Sequence, residues 1–126
     1  MRRFQQIFLA LFGATVVLIS LLHVALGPAT LLGMRALDPT MDSEDRFYAT
    51  QFLAYGAIAL WCARDVARRG NVVRLLALVL FVGGIARLVS IAAVGPPNAF
   101  FLAMTGLELT LPALMILVQR RVSARG

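Results

Sequence analysis

Four apolar runs organise the chain, at residues 7–26, 47–63, 75–94 and 100–118, and each is bounded by a short polar or turn-forming segment. A run of about twenty residues, rising about 1.5 Å per residue as a helix, covers the ~30 Å hydrocarbon core of a bilayer. The pattern therefore predicts an all-α integral membrane four-helix bundle with four transmembrane helices. They fall over about 5–27, 44–69, 72–94 and 99–121 of a single transmembrane domain, 1–126. The third run, LLALVLFVGGIARLVSIAAV, is interrupted by one charge, Arg87. An arginine near the middle of such a segment costs about 2.5–3.5 kcal/mol on insertion scales, so it needs a partner.

The punctuation between runs carries the helix ends. The first run follows Met1, Arg2 and Arg3, is longer than the ~7–15 apolar residues of a secretory signal, and ends at Gly27-Pro28. This predicts an uncleaved first helix. Residues 29–37 suit a short interfacial helix stopped by Pro39. Ser43 or Asp42 then offers an N-cap for the second helix, with Glu44 and Asp45 in a first turn where the helix dipole favours negative charge. Trp61 sits at interfacial depth ahead of a basic turn, Gly70 suits a C-cap and Asn71 the next N-cap. Gly95-Pro96-Pro97 forms a tight turn, and Asn98 caps the fourth helix.

Composition places the chain firmly in the membrane class: 60% hydrophobic residues, 14% charged residues and a mean hydropathy of +0.85. The net charge of +6 comes from twelve arginines and no lysine. In a soluble protein that charge would suggest nucleic acid. Here nine arginines lie in the N-terminus, the 64–74 connection and the C-terminal tail, where they act as topology signals beside anionic lipid. Both termini are accordingly expected to be cytoplasmic, in a bacterial inner membrane. The lone Cys62 excludes an internal disulfide. With one histidine and no clustered acids inside the runs, no metal, haem or other cofactor is expected. No phosphate loop, nucleophile elbow or zinc-hydrolase motif occurs. Asp42, Glu44 and Asp45 could gather a surface cation, but helix-start acids explain them more simply.

Helix rise sets the depth of the polar residues. Arg87 and Gln51 fall ~12 Å below the outer surface, Glu108 ~15 Å and His23 ~6 Å. Each helix thus sends one polar side chain into the outer half, and the inner half has no matching set. Spacing extends these into stripes: Ser20, His23 and Gly27; Tyr48, Gln51, Phe52 and Tyr55; Gly83, Gly84, Arg87 and Ser90; Phe101, Thr105, Glu108 and Pro112. Pro112 lacks the N–H that would bond the Glu108 carbonyl, so position 108 presents a carboxylate and a freed carbonyl. Arg87 is the donor at that depth, and a buried Arg87–Glu108 ion pair is expected. Such a pair can simply fix helix register. Alternatively Arg87, Glu108, His23, Gln51, Tyr48, Tyr55, Ser90 and Thr105 line a pocket for the polar head of an amphipathic, lipid-like molecule.

A first helix closing on His23 and Gly27-Pro28, the segment Asp45 to Thr50 (DRFYAT), Gly83-Gly84-x-x-Arg87 with Ser90, the Gly95-Pro96-Pro97 turn and Glu108 together resemble the DUF4345 family of small bacterial membrane proteins. The resemblance covers nearly the whole chain. It implies a four-helix membrane bundle, broadly similar to the DoxX-like group, and brings no established activity, so no residue role can be carried over. The expected partners are membrane lipids and a homo-oligomer or larger membrane complex to which the chain is accessory, with no nucleic acid. The rival class is a small transporter working as a dimer with Glu108 as coupling acid, although an arginine opposite would neutralise that acid. An intramembrane enzyme using Glu108 meets the same obstacle, and the reading leans away from catalysis.

Overall fold

The computed structural model describes residues 1–28 and 38–124, so the interfacial helix expected over 29–37 lies outside the described residues. Four helices follow in order: α1 (Arg2–Leu26), α2 (Pro39–Ala63), α3 (Gly70–Val94) and α4 (Ala99–Ala124). The all-α expectation holds. Three of them, α1, α3 and α4, are long and apolar enough to cross a membrane. The second helix is as long, but Asp42, Glu44, Asp45 and Arg46 occupy its first two turns and shorten its apolar part to residues 47–63. Large apolar side chains such as Leu18, Leu78, Val82, Val89 and Leu117 are exposed on α1, α3 and α4. Apolar surface of that extent has no favourable contact with water and fits acyl chains. The chain is a multi-pass membrane protein.

The start of α2 differs from the expectation of a cap at Asp42 or Ser43. Asp38 is the N-cap, and its carboxylate accepts the Met41 N–H at 2.9 Å while Pro39 occupies the first turn. Proline suits that position because its missing N–H would be unpaired there anyway and its fixed φ matches the helix. Pro39 is the first residue of this helix. The end of α2 also comes earlier than expected, at Ala63 rather than residue 69. Asp65 then nucleates a turn, accepting from the Arg68 N–H at its side chain and the Arg69 N–H at its carbonyl. Gly70 is the first residue of α3, not a C-cap. A Cβ there would lie 2.8 Å from Gln119 Nε2, so the position is kept small by close packing. At the last connection Asn98 does cap α4, its Oδ1 accepting the Phe101 N–H at 3.1 Å.

Two compact units make up the chain. One comprises residues 6–64 and is an antiparallel α1–α2 hairpin. The helices pack closely at two glycines: a Cβ on Gly13 would lie 2.8 Å from the Gly56 carbonyl, and one on Gly56 2.9 Å from Val17 Cγ2. Small residues facing each other let backbones come together where no hydrophobic effect drives helices into contact. Phe12 meets Tyr55 edge-on at 6.0 Å between ring centroids.

The other unit comprises residues 1–5 and 65–126, an antiparallel α3–α4 hairpin with the start of α1. Its buried positions on α4, Thr105, Glu108, Pro112, Met115, Gln119 and Val122, recur every three or four residues and, with Val118 beside them, form one stripe. Buried Val73, Leu76, Ala77 and Gly84 form the corresponding stripe on α3. A Cβ on Gly84 would lie 2.8 Å from Leu109 Cδ2, so α4 packs closely against α3 there.

Candidate functional site

In the α3–α4 unit the pairing expected from depth is present. Arg87 Nε donates to Glu108 Oε2 at 2.6 Å. The Glu108 side chain is 9% exposed and that of Arg87 37%. The guanidinium also lies over the Phe101 ring, 5.7 Å from its centroid, an arrangement in which the ring's negative face attracts the cation. Thr105, between Phe101 and Glu108 on the same buried stripe, turns its hydroxyl back to the Phe101 carbonyl at 2.8 Å. The α4 stripe therefore forms as its spacing predicts, with Gly84 setting the distance at which α3 presents Arg87. Ser90 is exposed.

The remaining candidates belong to the α1–α2 unit. His23 is buried, and its Nδ1 shares a hydrogen bond of 2.9 Å with Asp45 Oδ2. Next to Asp45 on α2, Arg46 donates from Nε to Asp42 Oδ1, one turn back, at 2.7 Å and from Nη1 to the Val24 and Ala25 carbonyls at 2.9 and 3.1 Å. Those carbonyls are among the last four of α1, which have no partner within the helix. Gly27 ends α1 with a φ of +76°, a conformation that favours glycine, and its N–H returns to the His23 carbonyl. Asp42 and Asp45 thus do more than start α2: they hold the cation and the imidazole that close the end of α1. Residue types alone did not reveal this, although an antiparallel hairpin must bring the end of one helix beside the start of the next. Tyr48 and Gln51 are exposed, with the Gln51 amide 3.5 Å from the Thr50 hydroxyl, and Tyr55 packs with Phe12 and Phe52.

The opposite end of the α3–α4 unit also holds a polar set, where none matching that of Arg87 and Glu108 is expected from the sequence. Gln5 and Gln119 are 1% and 0% exposed. Gln119 Nε2 donates to the Val66 carbonyl at 2.7 Å, and Gln5 Nε2 to the Met115 carbonyl at 3.2 Å and to Gln119 Oε1 at 3.5 Å. Arg2 adds a contact of 3.8 Å to Asp65. The start of α1, the 65–69 turn and the end of α4 are thereby tied together. Gln5 follows Arg2 and Arg3 by a few residues and Gln119 precedes Arg120 and Arg121, so nothing in their local sequence marks them as buried. Among the described residues no fully buried side-chain nitrogen or oxygen lacks a partner, and no three His, Cys, Asp or Glu side chains gather as a metal site.

The chain belongs to the DUF4345 family, described as a domain of unknown function, whose pattern matches residues 4–119. No curated protein and no solved structure matches it.

Proposed function

We propose that this DUF4345 member holds the polar head of an amphipathic, lipid-like molecule at Arg87 and Glu108, and that it does so as a four-span protein of the bacterial inner membrane, within the DoxX-like group. The observation that carries the reading is the incomplete burial of Arg87. A pair that serves packing alone repays its desolvation only when the remaining donors and acceptors of both members are hydrogen-bonded. Here the Glu108 side chain is enclosed and the Arg87 side chain is more than one-third exposed, within a hairpin whose two helices are each long and apolar enough to span a bilayer. A cation left open at that depth is costly without something to receive its hydrogen bonds.

The topology proposed is four spans with both termini cytoplasmic. The contacts Arg2–Asp65, Gln5–Gln119 and Gln119–Val66 support it, because they gather three arginine-bearing segments at one end of the same unit. The second helix crosses with its apolar residues 47–63, its acidic first turns standing in the outer interface. Transport with Glu108 as coupling acid is the weaker reading, since its carboxylate is already committed to Arg87 at 2.6 Å.

Gentle purification from native membranes, followed by native mass spectrometry and lipid extraction, tests the proposal. A stoichiometric small molecule retained by the wild type and lost from Arg87→Ala is the expected result. Co-purifying large subunits with no retained small molecule would instead make the chain an accessory subunit and reduce Arg87 and Glu108 to packing.

A further inference from the structure

We infer that the head group received by Arg87 is an uncharged carbonyl, as in an ester or ketone on an apolar tail, and not an anion; this rests on the binding role proposed above. A guanidinium carries five N–H donors in a planar fork, and one carboxylate engages about two of them. Among the described residues Glu108 is the only hydrogen-bond or ion-pair partner of Arg87, and Phe101 covers a face of the guanidinium without accepting from its edge. About three donors therefore face a space that must supply acceptors. The charge at the site is already balanced, one cation against one carboxylate at 2.6 Å. An anionic head would add a net negative charge beside Glu108 in surroundings of low dielectric, where an uncompensated charge is strongly disfavoured. A carbonyl oxygen accepts the same donors and leaves the charge balance intact.

Room for the tail lies on the same face. Gly83, one helical turn from Arg87 towards the start of α3, is exposed, and a Cβ placed there meets no atom within 4 Å. Neighbouring Gly84, by contrast, is closed against Leu109. An apolar chain anchored at Arg87 can run along α3 past Gly83 without displacing a side chain.

The test places the protein in nanodiscs of ether-linked phospholipid, which offer no ester carbonyl, and adds hexadecanoate, methyl hexadecanoate or hexadecyl methyl ether as probes read by native mass spectrometry. The methyl ester is expected to bind about ten- to a hundredfold more tightly than the ether or the carboxylate, the range for hydrogen bonds to a charged donor. Arg87→Gln should remove that preference. Gly83→Leu, whose Cβ enters open space, should weaken methyl ester binding about tenfold without lowering the unfolding midpoint. Tighter binding of the carboxylate, abolished in Arg87→Gln, would overturn the carbonyl assignment and leave the binding role standing. Equal binding of all three probes, insensitive to Arg87→Gln and Gly83→Leu, would overturn both. If the ester preference holds, comparison with ester-linked nanodiscs separates the two sources of the carbonyl: loss of probe binding there identifies bulk glycerolipid as the occupant, and its persistence a dedicated ligand, both within the class assigned.

Discussion

Within the α3–α4 unit, two polar clusters meet the cost of burying hydrogen-bonding groups in opposite ways. At one end Gln5 and Gln119 are sealed, and their amides reach the Met115 and Val66 carbonyls and each other. At the other, Arg87 and Glu108 meet at 2.6 Å but leave the Arg87 side chain more than one-third exposed, with donors to spare. A closed neutral network of this kind holds elements together and offers nothing to a ligand. An open charged pair holds two helices together and still has hydrogen-bonding capacity directed outward. Burial alone does not separate the two roles; the balance of donors and acceptors does.

The largest effect should come from breaking the open pair at its enclosed member. Glu108→Ala leaves Arg87 without its counter-charge and should lower stability by about 3 kcal/mol, measured as a shift in denaturant unfolding in detergent. The closed cluster should give the next largest loss. Gln119→Leu orphans the Val66 carbonyl and leaves the Gln5 amide with the Met115 carbonyl alone, costs about 1–3 kcal/mol, and leaves any retained small molecule in place. If Gln119→Leu instead strips the ligand while Arg87→Gln keeps it, the roles assigned to the two ends are reversed. In the α1–α2 unit, Arg46→Ala uncovers the Val24 and Ala25 carbonyls and should cost about 1 kcal/mol, seen as faster hydrogen exchange in the last turn of α1. The smallest change belongs to Gly83→Ala, which enters open space and removes a helix-interior glycine; it should be neutral or stabilise by up to about 1 kcal/mol. The same substitution at Gly84 meets Leu109 and should destabilise, so this adjacent pair of glycines separates open surface from packed interface.

Much of this contrast could be read along the chain, and the part that could not has a physical reason. Helix rise alone put Arg87 and Glu108 in one layer, because depth in a membrane is nearly a function of residue count, and their pairing follows. The Asn98 cap was legible because its chemistry is local. The start of α2 was legible in principle, since Asp38-Pro39 is a cap followed by a first-turn proline, but Pro39 reads as a stop when a helix is expected before it. Gln5 and Gln119 were hidden for a different reason. Each sits near arginines at a helix end, and only the packing of three distant segments excludes water from them. The partnership of His23 with Asp45 was likewise a consequence of hairpin geometry, invisible in the residue types that make acids look like helix starters.

The most direct test of the central claim compares the two ends side by side. Wild type, Arg87→Gln and Gln119→Leu are purified identically from the native membrane and weighed intact by native mass spectrometry. The account predicts a bound small molecule in the wild type and in Gln119→Leu, and its loss in Arg87→Gln. A molecule retained equally by all three, or by none including the wild type, would contradict it and leave the Arg87–Glu108 pair as a packing element like its glutamine counterpart.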